Sequence, residues 1–389
     1  MKVLIAPDSF KESLSAAQVC DCIEAGFKQV FTDAEFRKLP LADGGEGTLE
    51  ALLQSLDGEI RYVDVIGPMG KPVTAKWALL KDKNADGAKS GSKRKALIEI
   101  ASASGLDLVP EPERNPELAT TFGSGELIRD ALDAGVDSIL LGLGGSATND
   151  GGAGILQALG VKLLDSDGKE IPRGGLSLSE FCYIDASEMH PRCREVKLEV
   201  ACDVSNPLCG ENGASHVFGP QKGATLEMVK SLDASLGHFA DVIESFTGVN
   251  YKLAPGYGAA GGTLLGLSLA FEPKVQSGIE LVMDTVKADE ALNDIDLVIT
   301  GEGRMDDQTL QGKTPYGIAK RAKERGIPVI AIAGSLGKET EKLYEVFDGV
   351  FGTVRAPMPL SEVLLEAENN LTVSARNIAS AIKLGKSFS

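Results

Sequence analysis

Apolar and polar positions at both ends of the chain follow the rhythm of strand, loop and helix. Near the start, the apolar run 3–6 predicts a buried strand, and Ser15 with Gln18 forms the capping-box pattern that opens a helix. A second strand at 35–39 and a helix at 49–56 follow. Strands that alternate with helices in this way are typical of a parallel sheet.

The same rhythm returns near residue 295, after a middle region with a different pattern. Here it predicts strands at 296–300, 328–333 and 350–354, with helices at 315–325, at 338–347 and from Ser361 onward. The middle region predicts strands at 61–65, 73–80, 96–100, 161–164 and 196–202, a polar loop at 203–223 and a helix at 225–246. The simplest interpretation is an α/β fold of two domains. A discontinuous domain of residues 1–65 and 291–389 receives an inserted α/β domain of residues 66–290.

The most informative segment is 138–159, in which an apolar run at 139–143 opens into the sequence GGSATNDGG. A helical apolar pattern follows. A strand, a glycine-rich loop and a helix in this order present backbone N–H groups and a helix N-terminus to an anion. Glycine lets a phosphate approach the backbone closely because it has no Cβ. We therefore expect a phosphate-binding loop, with these candidate ligands: Gly144, Gly145, Ser146, Thr148 and Gly151.

Composition narrows the class of protein. The chain has 389 residues and a formal net charge of −17, which argues against nucleic acid or an anionic membrane as a partner. Its apolar runs are too short for a signal peptide or a membrane span. Six cysteines without zinc-site spacing favour reduced thiols. We expect a cytoplasmic protein, monomeric or homodimeric, that acts on small molecules.

Five loops at predicted strand ends carry acids beside glycines, hydroxyls or basic residues. They lie at 8–11, 43–46, 144–150, 203–206 and 301–307. Ligands of open α/β sheets bind at the carboxyl ends of strands, and this mixture of side chains suits Mg²⁺ and phosphate chemistry. The candidate catalytic residues are Asp8, Lys11, Asp43, Asp150 and Asp203. Asp150 and Asp203 are also the candidate metal ligands.

Two further motifs leave alternatives open. Segment 311–314 (QGKT) resembles the end of a P-loop, but Asp307 stands where the motif requires its first glycine, so only Lys313 remains a candidate phosphate ligand. Segment 256–261 (GYGAAG) matches GxGxxG without a good preceding strand. Its glycines favour close packing, and a dinucleotide-dependent oxidoreductase is the alternative enzyme. A metabolite-binding regulator is the non-catalytic alternative.

Six motifs stand in order along almost the whole chain: IAPDSFKESLSAAQV, LPLADGGEGT, GLGGSATNDGGAG, ACDVSNPLCG, PGYGAAGG and TGEGRMDDQTLQGKTP. Together they closely resemble the class I glycerate kinases of bacterial sugar-acid and glyoxylate catabolism. The one departure is a polar insert at 81–95, which we expect to form a hairpin tip.

The resemblance implies ATP-dependent, Mg²⁺-assisted phosphorylation of D-glycerate, usually to 2-phosphoglycerate. It also implies a flavodoxin-like domain and a domain resembling restriction endonucleases, with the active site in a cleft between them. The expected glycerate-binding residues are Ser9, Lys11, Glu302 and Arg304. Either Lys11 or Arg304 is expected to pair with the glycerate carboxylate, because an acidic protein needs local cations to bind anions. The sequence leaves open which carboxylate acts as base, and whether the product is 2- or 3-phosphoglycerate.

Overall fold

The computed structural model describes residues 1–42, 48–81 and 94–387. The chain forms two compact units, the first of Met1–Ser55 with Ser277–Ser389 and the second of Leu56–Gln276. The candidate residue Asp43 and most of the polar insert lie outside the described residues.

The strands, in chain order, are β1 (Lys2–Ile5), β2 (Glu35–Lys38), β3 (Asp57–Ile66), β4 (Pro72–Lys81), β5 (Lys95–Glu99), β6 (Ser138–Gly142), β7 (Lys162–Leu164), β8 (Tyr183–Asp185), β9 (Lys197–Ala201), β10 (Lys274–Gln276), β11 (Leu297–Met305), β12 (Val329–Leu336) and β13 (Gly349–Gly352). The helices are α1 (Ala16–Lys28), α2 (Thr48–Ser55), α3 (Ala101–Ser104), α4 (Phe122–Asp133), α5 (Ala153–Ala158), α6 (Ala214–Phe218), α7 (Leu226–Thr247), α8 (Thr263–Ala270), α9 (Gly278–Thr285), α10 (Ala288–Ala291), α11 (Thr314–Lys323), α12 (Leu360–Leu365) and α13 (Ala367–Gly385).

The first unit is built on a five-stranded parallel sheet in the order β13-β12-β11-β1-β2. The capping box at Ser15 is confirmed, because its side chain accepts from the Gln18 N–H and the Gln18 side chain accepts in return. Buried residues of α1, such as Ile23, pack with buried residues of α13, such as Leu371. Since β1 and β11 are parallel neighbours, the loop after β1 lies beside the end of β11.

The second unit is built on a six-stranded mixed sheet in the order β10-β9-β6-β5-β4-β3. Strands β3, β4 and β5 pair antiparallel, whereas β5, β6, β9 and β10 run parallel. Its core includes the fully buried side chains of Trp77, Phe181, Phe239 and Phe271. The parallel pairing of β6 with β9 brings the loops that follow these two strands to the same edge.

The unit boundaries differ from the domain limits that the sequence suggested. Strand β3 pairs with β4 along its whole length, which places residues 57–65 in the second unit. Helices α9 and α10 belong to the first unit, where Arg321 of α11 binds Glu280, Asp284 (2.7 Å) and Asp289 (3.2 Å).

The helix expected at 338–347 is wrong. This segment contains only a short 3₁₀ turn, Glu341–Glu345. Residues 338–342 offer no apolar side chain, and the buried Leu343 and Phe347 anchor only the second half against the core. Among the described helices, none is both long and apolar enough to cross a bilayer.

Candidate functional site

In the first unit, the loop after β1 packs closely against the end of β11. The Asp8 N–H donates to the Gly301 carbonyl at 2.8 Å, and the Thr300 hydroxyl donates to the Ala6 carbonyl at the same distance. A Cβ on Gly303 would lie only 3.3 Å from the Lys11 backbone nitrogen. We call this region, residues 8–11 with 301–306, the β1/β11 edge. It brings together Asp8, Ser9, Lys11, Glu302 and Arg304.

The half-buried Asp8 carboxylate is held in a defined orientation. One oxygen, Oδ1, accepts from the Ser9 N–H at 2.6 Å, and Oδ2 accepts from the Thr314 hydroxyl at 2.7 Å. Because Thr314 begins α11, the positive end of that helix lies beside the carboxylate and stabilises its charge. The arrangement gives the edge an oriented, partly accessible acceptor.

Glu302 is more deeply buried, with 9% of its surface exposed. Its Oε1 accepts from the Thr309 hydroxyl at 2.7 Å, and its Oε2 accepts from Lys313 Nζ at 3.3 Å. Burial raises the pKa of Glu302, although the contacts with Thr309 and Lys313 oppose the shift. Glu302 therefore holds Lys313 at the β1/β11 edge. The QGKT segment does this although it is not part of a complete P-loop motif.

Two cations reach solvent at this edge. Lys11 and Arg304 are both exposed, and the Arg304 side chain retains 68% of its surface although its Nε lies 3.4 Å from Asp306 Oδ2. An exposed ion pair of this length contributes little to stability. Both cations are thus placed where an anionic ligand can reach them.

In the second unit, the loop after β6, residues 144–152, has an exposed end and a buried base. We call it the glycine loop. Gly144 and Gly145 are exposed, whereas the next five residues, 146–150, are buried. The Leu106 N–H donates to the Gly145 carbonyl at 2.8 Å, and the Ala147 N–H donates to the Ser104 carbonyl at 2.9 Å. Of the five predicted phosphate ligands, only Gly144 and Gly145 present their backbone to solvent.

Asp150 is fully buried, and donors of the protein itself surround its carboxylate. Oδ2 accepts from the Thr121 N–H (2.7 Å), the Thr121 hydroxyl (2.9 Å) and the Gly154 N–H (3.3 Å), and Oδ1 accepts from the Gly152 N–H (3.2 Å). Burial raises its pKa, against the effect of these hydrogen bonds. The anion at the start of α5 in this structure is therefore this side chain, and phosphate binding at that helix start stays a prediction. The same geometry favours a structural role for Asp150 over metal binding.

Asp203 has the opposite environment. It follows β9, the parallel neighbour of β6, and its side chain is exposed. The described part of the chain contains no group of three His, Cys, Asp or Glu side chains arranged around one metal position. Nucleotide-bound Mg²⁺ needs only one or two carboxylates, besides water and phosphate oxygens. The exposed carboxylate of Asp203 suits the role of one such carboxylate ligand.

The GYGAAG segment has a packing explanation. Gly261 has φ +66°, and a Cβ there would lie 2.1 Å from the Thr148 carbonyl oxygen. The Gly151 N–H donates to the Gly261 carbonyl at 2.9 Å. This N–H, which was expected to bind phosphate, is therefore already hydrogen-bonded within the protein. Residues 251–255 form no strand. The segment therefore braces the glycine loop, and it lacks the strand of a dinucleotide-binding fingerprint.

Sequence reasoning missed Lys222, which is only 2% exposed. Its Nζ donates to the Ser146 hydroxyl at 3.0 Å and to the Thr148 carbonyl at 2.7 Å. Burial lowers its pKa to about 7, against the opposing charge of Asp150. The only sequence signal was a lysine between glycines in the segment GPQKG, at the end of the polar loop predicted at 203–223.

Comparison with known proteins covers the whole chain. The sequence model of the glycerate kinase family matches residues 3–383. A glycerate kinase of Bacillus subtilis (strain 168) is 49% identical over 100% of this chain and 99% of that protein. A glycerate 2-kinase of Escherichia coli (strain K12) is 46% identical over 99% of each. A crystal structure from Salmonella typhimurium LT2, assigned as glycerate kinase 2, is 47% identical and superposes with a TM-score of 0.88, covering 100% of this chain and 99% of that chain.

Proposed function

Since this chain belongs to the glycerate kinase family, we propose that it transfers the γ-phosphoryl group of ATP to D-glycerate. The structural observation that carries the proposal is the β1/β11 edge, where Lys11 and Arg304 are exposed beside the oriented carboxylate of Asp8. Glycerate carries one carboxylate and two hydroxyls, so its site needs a cation and hydrogen-bond acceptors together. In a chain of net charge −17, exposed cations beside such acceptors favour an anion site.

We assign glycerate to this edge. Either Lys11 or Arg304 pairs with its carboxylate, and the other contacts phosphate. Asp8, Ser9 and Glu302 are the polar groups available to its hydroxyls, and Lys313, held by Glu302, adds a further positive charge. Phosphoryl transfer needs mainly positioning and charge neutralisation, and these residues supply both.

We assign the nucleotide phosphates to the N–H groups of the exposed residues Gly144 and Gly145, and Mg²⁺ to Asp203. Bound Mg²⁺ would neutralise charge on the phosphates. In the transfer, a glycerate hydroxyl oxygen bonds to the γ-phosphorus, the bond to the bridging oxygen of ADP breaks, and the hydroxyl proton passes to a base. Asp8 and Asp203 are the described candidates for that base, and Asp43 remains one outside the described residues. The expected product is 2-phosphoglycerate.

The first unit supports the flavodoxin-like assignment. Its five strands, counted along the unit, lie in the order 2-1-3-4-5, which is the flavodoxin order. The restriction-endonuclease-like assignment of the second unit stays a prediction. So do the cytoplasmic location, the monomeric or homodimeric state and the role in sugar-acid and glyoxylate catabolism.

A coupled assay of ADP release tests the proposed reaction. ADP release from Mg-ATP is expected to depend on D-glycerate and to stop when EDTA removes the metal, and NMR of the product identifies the phosphorylated hydroxyl. Equal ADP release with and without glycerate would contradict the proposal. An absorbance assay with NAD(H) in parallel tests the oxidoreductase alternative.

A further inference from the structure

Lys222 is an unusual buried amine. Its hydrogen-bond partners are a hydroxyl and a carbonyl of the glycine loop, Ser146 and Thr148, rather than a carboxylate. Removing an amine from water costs free energy that these two contacts only partly return. A methionine or leucine would fill such a site at less cost, so the position of the nitrogen calls for an explanation beyond packing.

Contacts from several segments fix the glycine loop. Residues 104–106 bind the backbone of Gly145 and Ala147 on one side, and Gly261 packs against the Thr148 carbonyl on another. Lys222 adds a contact that its side chain makes across 74 residues of sequence to the Thr148 carbonyl. Because a backbone carbonyl and the following N–H share one peptide plane, holding the Thr148 carbonyl fixes the 148–149 peptide, and the contact with Ser146 lies directly after the exposed end of the loop.

We propose that Lys222 is a positioning residue for phosphoryl transfer, which holds the base of the glycine loop so that the Gly144 and Gly145 N–H groups stay directed at the nucleotide phosphates. The inference rests on the proposed function, because it assigns those N–H groups to ATP. Lys222 itself touches no substrate. Both its protonated and its neutral form carry N–H donors for the two contacts.

The decisive variant is Lys222→Met, which keeps the length of the side chain and removes its donors. We expect amide exchange at 144–148 in the ligand-free protein to accelerate at least about tenfold, while exchange in β11 stays unchanged. We expect KM for ATP to rise by about tenfold or more, with a smaller change in KM for glycerate. Lys230→Met, at an exposed position of α7, is the matched control and should behave as the wild type.

The exchange measurement separates the two levels of the proposal. Faster exchange at 144–148 with an unchanged KM for ATP would show that Lys222 holds the loop but that the loop does not bind the nucleotide, which overturns the assignment. A folded Lys222→Met protein with exchange and KM within twofold of wild type would overturn the role of Lys222. If that variant does not fold, Ser146→Ala removes one of the two acceptors and should shift both quantities the same way by about two- to fivefold. An unchanged Ser146→Ala protein would then count against the proposal.

Discussion

Two aspartates in similar loops show how environment decides the role of a residue. Asp150 and Asp203 both follow buried parallel strands, yet Asp150 is fully buried among four donors and Asp203 is exposed. We expect Asp203→Asn to keep the fold and to lower kcat by about 100-fold or more, equivalent to about 2.7 kcal/mol, because a charge near the metal is lost. Steady-state kinetics and thermal unfolding of the same preparation measure both quantities.

Asp150→Asn is the informative counterpart. An amide nitrogen would face backbone N–H donors, so the free energy of unfolding should fall by about 1–3 kcal/mol. A fully stable Asp150→Asn protein, or an Asp203→Asn protein with wild-type kcat, would contradict the assignment of these two residues.

The two exposed cations of the β1/β11 edge have separable effects. Alanine at the one that pairs with the glycerate carboxylate, Lys11 or Arg304, should mainly raise KM for glycerate, because a charge-assisted contact is lost from the bound substrate. Lys320→Ala, at an exposed position near the end of α11, is the control in the same unit. Unchanged KM values for both substrates in both variants would refute the pairing.

The lowered pKa of Lys222 has a consequence for stability. Between about pH 7, its pKa in the folded chain, and 10.5, its ordinary value, the unfolded chain binds more protons than the folded chain. The contribution of this group to the free energy of unfolding therefore rises with pH, by up to about 1.4 kcal/mol per pH unit. The difference between wild type and Lys222→Met, followed by denaturant unfolding from pH 7 to 9, should increase in favour of wild type. A difference that stays constant across this range would rule the effect out.

At the scale of elements, patterns among neighbouring residues were sufficient to predict helices and strands whose formation depends on those same neighbours. The capping box of α1 joins residues three positions apart, and most strand positions of the two larger sheets follow from short apolar runs, although β10 was not predicted. Strand β11 was expected to end at Thr300, but it continues to Met305 because Arg304 and its neighbours pair in register with β12. The sequence could not show this, since residues 301–304 have no preference for strands.

The parts of the candidate site that escaped prediction depend on contacts between distant segments. Lys222 reaches Ser146 across 76 positions, and the Thr121 hydroxyl reaches Asp150 across 29. No periodicity or spacing within one segment reveals such contacts. The chemical types of the candidate residues were readable from the sequence, whereas their division into exposed ligands and buried supports was not.

The turn that precedes α8 packs closely against the glycine loop at Gly261, and a substitution there tests how much this contact contributes to stability. In Gly261→Ala the new Cβ would meet the Thr148 carbonyl, so we expect a loss of stability above the roughly 1–3 kcal/mol of a strained backbone alone. Gly248→Ala is the matched control, because it has a similar φ of +73° and nothing within 4 Å of a Cβ. Equal free energies of unfolding for the two variants would show that the contact is unimportant.

At the scale of the whole molecule, the residues proposed for glycerate belong to the first unit, and those proposed for the nucleotide and Mg²⁺ belong to the second. Because an ATP site left open to water would favour hydrolysis, we expect ATP and glycerate together to cause domain closure, which would exclude water from the reaction. We expect the doubly liganded protein to have a smaller radius of gyration and slower amide exchange at 144–152 than the free protein. Identical scattering and exchange for both states would contradict domain closure.

The strand order of the first unit also determines how long its first elements wait for their partners during translation. Strand β1 lies between β2 and β11, and a Cβ on Gly26 of α1 would lie 2.4 Å from the Thr372 carbonyl of α13. Neither β11 nor α13 exists until the ribosome has translated the whole of Leu56–Gln276. At about 5–20 residues per second, that interval lasts roughly ten to forty seconds. During it, β1 and α1 lack the native cover that β11 and α13 provide, so this amino-terminal segment is where a nascent chain would need protection from aggregation.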